Sequence, residues 1–199
     1  MGNSASGDQV DRQMAYDIME LAKAKGALLF GEFRLSAGGT SSYYFDGRIL
    51  ALDPEGGYRV AKAFLPILRE CGAQAIAGPT LGADPIVSAV SVVSHIEGCP
   101  IPGLIVRGEA KGYGGKKTIE GPTSALGTGA QVVVVDDTCT TGSNLFHAIE
   151  AVESEGYEVV KVLSILDRNE GGSAELRRRG YSYHALLSAN ENGEIGPSN

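Results

Sequence analysis

Apolar residues recur along this chain in blocks whose spacing switches repeatedly between the period of a helix and that of a strand. Met14, Ile18, Met19, Leu21 and Ala22 lie at helical spacing, which predicts a first helix ending near Gly26, a residue suited to a C-cap. Residues 27–34 read as a strand, 36–42 as a turn-rich break, and Tyr43, Tyr44 and Phe45 as a short aromatic strand. Asp53 and Pro54 open a helix carried by Val60, Phe64 and Leu68, with the proline in the first turn, where its missing N–H costs nothing. A short strand at 75–77 runs into Gly78, Pro79, Thr80, Leu81 and Gly82, then into a helix on Ile86, Val90 and Val93, and 104–106 is the next strand. Residues 107–121 have no apolar period and hold Lys111, Lys116 and Lys117 among glycines, as expected of a long, flexible, basic and functional loop. A run of valines, a helix on Leu145, Phe146, Ile149 and Val152, and a core strand at 159–166 follow. The pattern closes with a polar loop and helix at 170–180 and a final edge strand at 181–187. This alternation predicts an α/β protein with a mostly parallel sheet, as one domain over 9–199, behind a small polar opening at 1–8 expected to be a disordered or cloning-derived tail.

The segment 132–143 carries the most chemistry. Val132, Val133, Val134 and Val135 are apolar at every position, as in a strand buried on both faces of a parallel sheet. The run ends in Asp136 and Asp137, continues through Thr138, Cys139, Thr140 and Thr141 to Gly142 and Ser143, and enters a helix from Asn144. A strand, a short polar loop and a helix put the loop at the carboxyl end of a strand, where open α/β sheets bind ligands. Free N–H groups at the helix N-terminus favour an anion, Gly142 lets the backbone come close to it, and Thr138, Thr140, Thr141 and Ser143 add hydroxyl donors. The two carboxylates must face something else, either sugar hydroxyls or a metal ion. One loop that holds both a phosphate and a pair of hydroxyls describes a ribose-5-phosphate site. Taken singly, Asp137 or Ser143 would be turn or cap chemistry; the whole string carries the reading.

Composition narrows the class. With 43% hydrophobic and 21% charged residues, the chain of 199 residues is an ordinary globular protein, long enough to bury about 70% of its unfolded surface without staples. A formal net charge of -7 disfavours a general nucleic-acid binder and requires any polyanionic substrate to be met by local positive charge. Cys71, Cys99 and Cys139 have no metal-ligand spacing, and their odd count fits free thiols in a reducing cytoplasm. Cys139 lies in the loop with no histidine near it in sequence, so it is expected to be a spacer and not a nucleophile. No stretch approaches a transmembrane span.

The string 132–143 resembles the phosphoribosyl diphosphate (PRPP) signature of the type I phosphoribosyltransferases. Three further motifs narrow the resemblance to one family. Residues 30–38 (FGEFRLSAG) and 41–48 (SSYYFDGR) look like the N-terminal motif of orotate phosphoribosyltransferases. Residues 107–114 (RGEAKGYG), closing at Ile119, Glu120 and Gly121, are similar to their catalytic loop. Leu166, Asp167 and Arg168, with Glu170, Gly171 and Gly172, resemble their orotate-binding arginine segment.

The resemblance implies the type I phosphoribosyltransferase fold, a mostly parallel sheet flanked by helices with a small N-terminal hood and a flexible catalytic loop. It implies transfer of phosphoribose from PRPP to orotate, giving orotidine 5'-monophosphate and diphosphate in pyrimidine synthesis. Arg107, Lys111, Asp136 and Asp137 become the catalytic candidates, and Arg107, Lys111 and Tyr113 join the string from Asp136 to Ser143 as PRPP ligands. Thr140, Arg168 and the Tyr43, Tyr44, Phe45 strand fall to orotate; Gly78 to Gly82 corresponds to the diphosphate-binding turn. Magnesium is implied as the cofactor, held mainly by PRPP and water with no direct protein ligand. The loop crosses to a neighbouring subunit in this family, so a homodimer is implied, with no nucleic-acid or membrane partner. The planar fork of Arg168 suits the oxygens of a carboxylated planar ring, although an arginine at a strand end also pairs with neighbours such as Asp167 or Glu170. Two positions depart from the family: Gly108 stands where many members carry a second lysine, and Ser36 where some carry a lysine. Two alternatives remain at this point, transfer to another base on the same fold and a PRPP-binding regulator that has lost catalysis.

Overall fold

The valine run lies where its composition requires, in the interior of a sheet covered on both sides. The computed structural model describes residues 4–34, 40–108 and 118–198. Along the chain the strands are β1 (Leu28–Arg34), β2 (Thr40–Phe45), β3 (Ala75–Pro79), β4 (Gly103–Val106), β5 (Ile119–Glu120), β6 (Gln131–Cys139), β7 (Glu158–Asp167), β8 (Tyr183–Ala189) and β9 (Ile195–Pro197). The helices are α1 (Ser4–Ala24), α2 (Gly47–Leu52), α3 (Pro54–Glu70), α4 (Asp84–Ile96), α5 (Ser143–Ser154) and α6 (Gly172–Arg178).

A seven-stranded sheet runs in the order β5-β4-β3-β6-β7-β8-β9. Its pairs from β4 to β8 are parallel, and β5 and β9 close the two edges antiparallel. Strand alternation sends Val133 and Val135 into one core with α1, α3 and α4, and Val132 and Val134 into a second with Leu145 and Ile149 of α5. All four valines are fully buried, and each is worth roughly 1.5 kcal/mol or more of transfer free energy. A separate antiparallel hairpin, β1 with β2, forms the expected hood, with Tyr43 and Phe45 buried and Tyr44 exposed between them. Asp53 caps α3 by accepting from the N–H groups of Glu55 and Gly56 at 3.1 and 3.0 Å, with Pro54 in the first turn.

The structure corrects four of the expected boundaries. The first helix starts at Ser4, so residues 4–8, expected as part of a tail, are helical; Gly26 follows its end with φ 74°. β6 runs on past the valines, since Asp136, Thr138 and Cys139 still pair with β7, and the loop shrinks to 140–142. α2 was not expected; six residues are too few to display a helical period, and Asp46 caps it through the N–H of Arg48. β8 is not the edge, because β9 pairs with it; a three-residue strand of Ile195, Gly196 and Pro197 reads in sequence as a turn.

Candidate active site

Alternation along β6 aims the two carboxylates at opposite faces of the sheet. Asp136 points toward α5, where it shares a polar recess of about 140 Å³ with Thr138, Thr140, Thr141, Gly142, Ser143 and Asn144. Asp137 points toward α2 and the turn after β3. A methyl at Gly47 would lie 2.5 Å from its Cβ, and one at Gly82 would lie 2.8 Å from its Oδ1. Only residues without side chains allow those two segments to close on the carboxylate.

Asp136 is 3% exposed, and its Oδ1 accepts from the N–H of Asp137 at 2.9 Å. Burial, reinforced by the charge of Asp137, pushes its carboxyl up to about 8. Asp137 is raised as well, first by burial and then by the charge of Asp46. Near neutral pH burial and mutual repulsion therefore favour a proton on the pair, which an arriving positive charge would displace into solvent.

The recess beside Asp136 is an anion cup. Gly142 has φ 80°, precedes α5, and no side chain caps that helix, so its first N–H groups are left to a ligand. Behind the cup, the N–H of Gly172 donates to the carbonyl of Thr140 at 2.9 Å. A methyl on Gly172 would come within 2.6 Å of the Gly142 nitrogen and 2.7 Å of the Thr140 oxygen, so α6 props the cup by close approach. A second cleft of about 250 Å³ opens on the other side of the acidic pair and shares Asp136 and Asn144 with the cup. Tyr44, Phe45, Asp46 and Arg48 line it from the hood and α2, and Pro79, Thr80, Leu81 and Gly82 from the turn after β3. The N–H of Thr80 donates to Val106, and its hydroxyl donates to Asp84 at 2.8 Å.

Arg168 follows β7 directly, and its N–H donates to the Cys139 carbonyl at 2.9 Å, which fixes it beside the cup. Its Nε donates to the Tyr43 hydroxyl and lies equally close to Glu170 Oε1, each at 3.2 Å, and its guanidinium lies 5.0 Å from the Tyr43 ring centre. The side chain is 15% exposed, so this fork ties the hood to the sheet and pairs with Glu170, as the plain reading of a strand-end arginine expects. Arg107 sits at the root of the basic segment. Its N–H donates to Thr118, its carbonyl lies 2.9 Å from His147 Nε2 on α5, and its guanidinium lies 3.7 Å from Glu120. Cys139 is buried with its thiol pushed up to about 11 by burial, an environment for an inert spacer.

Asp136, Asp137, Thr138, Thr140, Thr141, Gly142 and Ser143 thus line one continuous site with Tyr44 and Phe45. Arg168 flanks it through its backbone hydrogen bond to Cys139, whereas Arg107 bonds to Thr118 and His147, which do not line it. Tyr43 is 4% exposed and meets the site through Arg168. Lys111 and Tyr113, with Lys116, Lys117 and Ser36, lie outside the described residues. The sequence reading did not single out Asp46, Arg48 or Asn144; the available signal was the aspartate-capped short helix directly after the aromatic strand. Among the described residues no helix is long and apolar enough to cross a membrane, and no group of three or more His, Cys, Asp or Glu side chains is arranged to hold a metal ion.

Comparison with known proteins agrees with this geometry. A profile of the phosphoribosyl transferase domain matches residues 58–180. The orotate phosphoribosyltransferase of a Nostoc species is 46% identical over 158 residues, which cover 79% of this chain and 75% of that protein. A crystal structure of the Mycobacterium tuberculosis orotate phosphoribosyltransferase superposes with a TM-score of 0.75 at 31% identity, covering 88% of this chain and 96% of that one. The same enzyme in complex with PRPP superposes with a TM-score of 0.71 at 30% identity over the same shares.

Proposed function

This chain belongs to the orotate phosphoribosyltransferase family, and on that premise we propose that it transfers phosphoribose from PRPP to orotate, forming orotidine 5'-monophosphate and diphosphate. The observation that carries the proposal is the succession of an uncapped anion cup, a buried carboxylate pair and a neighbouring arginine fork at the carboxyl ends of β6 and β7.

In this reading the cup takes the 5'-phosphate on the first N–H groups of α5 and the hydroxyls of Thr138, Thr140, Thr141 and Ser143. Asp136 and Asp137 accept from the ribose hydroxyls. The pair loses its proton to solvent as substrate binds, and when the bond from C1' to the diphosphate oxygen lengthens, the ionised carboxylates stabilise the positive charge that grows on the sugar ring. A ring nitrogen of orotate bonds to C1' as the diphosphate leaves, and the proton of that ring N–H departs with the diphosphate. Arg168 leaves Glu170 for the orotate carboxylate, with Thr140 and the Tyr43, Tyr44, Phe45 strand beside the ring. Magnesium would be held mainly by PRPP and water, and the cleft fits such an ion because the carboxylates of Asp136 and Asp137 can accept from its water ligands. When bound with the diphosphate, magnesium supplies charge neutralisation of the leaving group.

Arg107 and Lys111 are assigned to the diphosphate, with Tyr113 on PRPP, and closure of their segment excludes water that would hydrolyse PRPP. The resemblance supports donation of that segment across a homodimer. Three free cysteines support a reducing cytoplasmic setting. The deciding experiment is orotidine monophosphate formation by the purified chain with orotate, PRPP and magnesium. PRPP binding without product would assign the fold to a sensor, and product only with another base would reassign the substrate. Loop donation is tested by mixing inactive Lys111→Ala and Asp137→Asn subunits. Activity should return in hybrids, and its absence after demonstrated subunit exchange would refute donation in trans.

A further inference from the structure

We infer that Arg48, from the same subunit, is a diphosphate-binding residue of this site, held on Asp46 until substrate arrives; the inference rests on the phosphoribosyl transfer proposed above. The cleft between the acidic pair and the turn after β3 presents the carboxylates of Asp46, Asp136 and Asp137, and among its described lining residues Arg48 is the one cation. A cleft with that balance repels a diphosphate unless positive charge is brought to it. The sequence is sparing in this respect, since glycine occupies position 108 and the whole chain carries a net charge of -7.

The geometry equips Arg48 for an exchange of partners. Its Nε and Nη2 donate to the two oxygens of Asp46 at 2.9 and 2.8 Å, the planar two-pronged contact that a phosphate also accepts. The side chain is 46% exposed, so the pair is screened by water and is given up easily. Asp46 keeps a second partner when the guanidinium departs, because its Oδ1 also accepts from the Arg48 N–H at 3.0 Å as the cap of α2. The switch therefore costs α2 nothing. Arg48 also acts on the acidic pair: its charge lowers Asp137, whereas Asp46 raises it. A guanidinium anchored on the helix that closes against Asp137 through Gly47 is thus placed to meet both the ribose and the leaving group.

Calorimetry with magnesium pyrophosphate and with PRPP tests the assignment, alongside steady-state kinetics. Arg48→Gln should weaken pyrophosphate binding about tenfold or more, the scale of a lost charge-assisted contact, and raise the KM for PRPP while that for orotate stays put. Arg48→Lys should recover part of the loss. Asp46→Asn, which removes the competing carboxylate and keeps a capping oxygen, should tighten pyrophosphate binding. Unchanged pyrophosphate affinity in folded Arg48→Gln, in a background where the natural chain turns over, overturns the Arg48 assignment alone. Failure of the natural chain to bind either PRPP or pyrophosphate overturns the proposed reaction with it. If Arg48→Gln fails to fold, an unaltered or weakened pyrophosphate affinity in Asp46→Asn overturns the assignment.

Discussion

The anion cup and the acidic pair occupy one strand-loop-helix segment, yet they stand on opposite sides of the stability ledger. The cup is built from what the fold already supplies: free N–H groups at the start of α5, small hydroxyl side chains, and glycines where backbones must touch. Apart from Asp136 at its border, it asks for no buried charge. The acidic pair puts two carboxylates at the end of a fully buried valine strand, where burial raises both of them. The fold tolerates the pair and does not benefit from it. Ground-state binding of phosphate thus belongs to the scaffold, whereas stabilisation of developing positive charge belongs to groups that the unliganded protein would rather neutralise.

That contrast predicts opposite effects of substitution. Asp136→Asn with Asp137→Asn should lower turnover by about a thousandfold, the scale of losing preorganised transition-state charge, while raising the melting temperature of the unliganded protein. Turnover and thermal melts of the double variant check this. Retained activity would remove the pair from catalysis, and a lower melting temperature would show that the pair supports the fold. Arg168→Ala should cost about 1.5–3 kcal/mol of orotate binding with little change for PRPP, because the fork is assigned to the base. Equal losses for both substrates would leave Arg168 as the tie between Tyr43 and Glu170 that the unliganded geometry contains.

The cup should respond in the other direction. Gly172→Ala drives a methyl against the backbone of Thr140 and Gly142, which cannot rotate away, and should destabilise the protein by about 1–3 kcal/mol. Inorganic phosphate affinity, measured on the folded fraction, should fall with it. A variant of unchanged stability and phosphate affinity would mean that α6 does not prop the cup.

These differences also explain what the sequence made legible. The valine run was readable because a strand covered on both faces must be apolar at every position, and the cup because its whole string of carboxylates, hydroxyls and glycine exceeds what a turn or a helix cap requires. The pairing of Asp136, Thr138 and Cys139 with β7 was not readable, since polar residues at the end of a strand look like loop. α2 and β9 escaped for want of length, and with α2 went Arg48, whose partner lies only two residues away in a local cap. The opposite aims of Asp136 and Asp137 follow from strand alternation, but only once β6 is known to continue past Val135.

The last prediction isolates Asp136 by its titration. Its folded carboxyl lies at about 8 against an ordinary 3.8, so between those limits the folded protein holds a proton that the unfolded chain has released. Stability from this group is fully present below the unfolded value and is lost as pH rises through the folded one. Asp136→Asn has no such proton to lose. The variant's melting temperature relative to the natural protein should therefore climb from pH 4 to about 8 and then level, with each kcal/mol worth about 2–4 °C in a chain of this size. Phosphate supplies the internal control. Asp136 borders the recess that forms the cup, so phosphate should stabilise both proteins and bind the variant, which lacks that carboxylate, at least as tightly. Magnesium PRPP, which needs the pair ionised, should stabilise the natural protein far more than the variant. A pH-independent difference in melting temperature would mean that Asp136 titrates as an ordinary carboxylate. Equal stabilisation of both proteins by magnesium PRPP would mean that the cup alone holds the substrate.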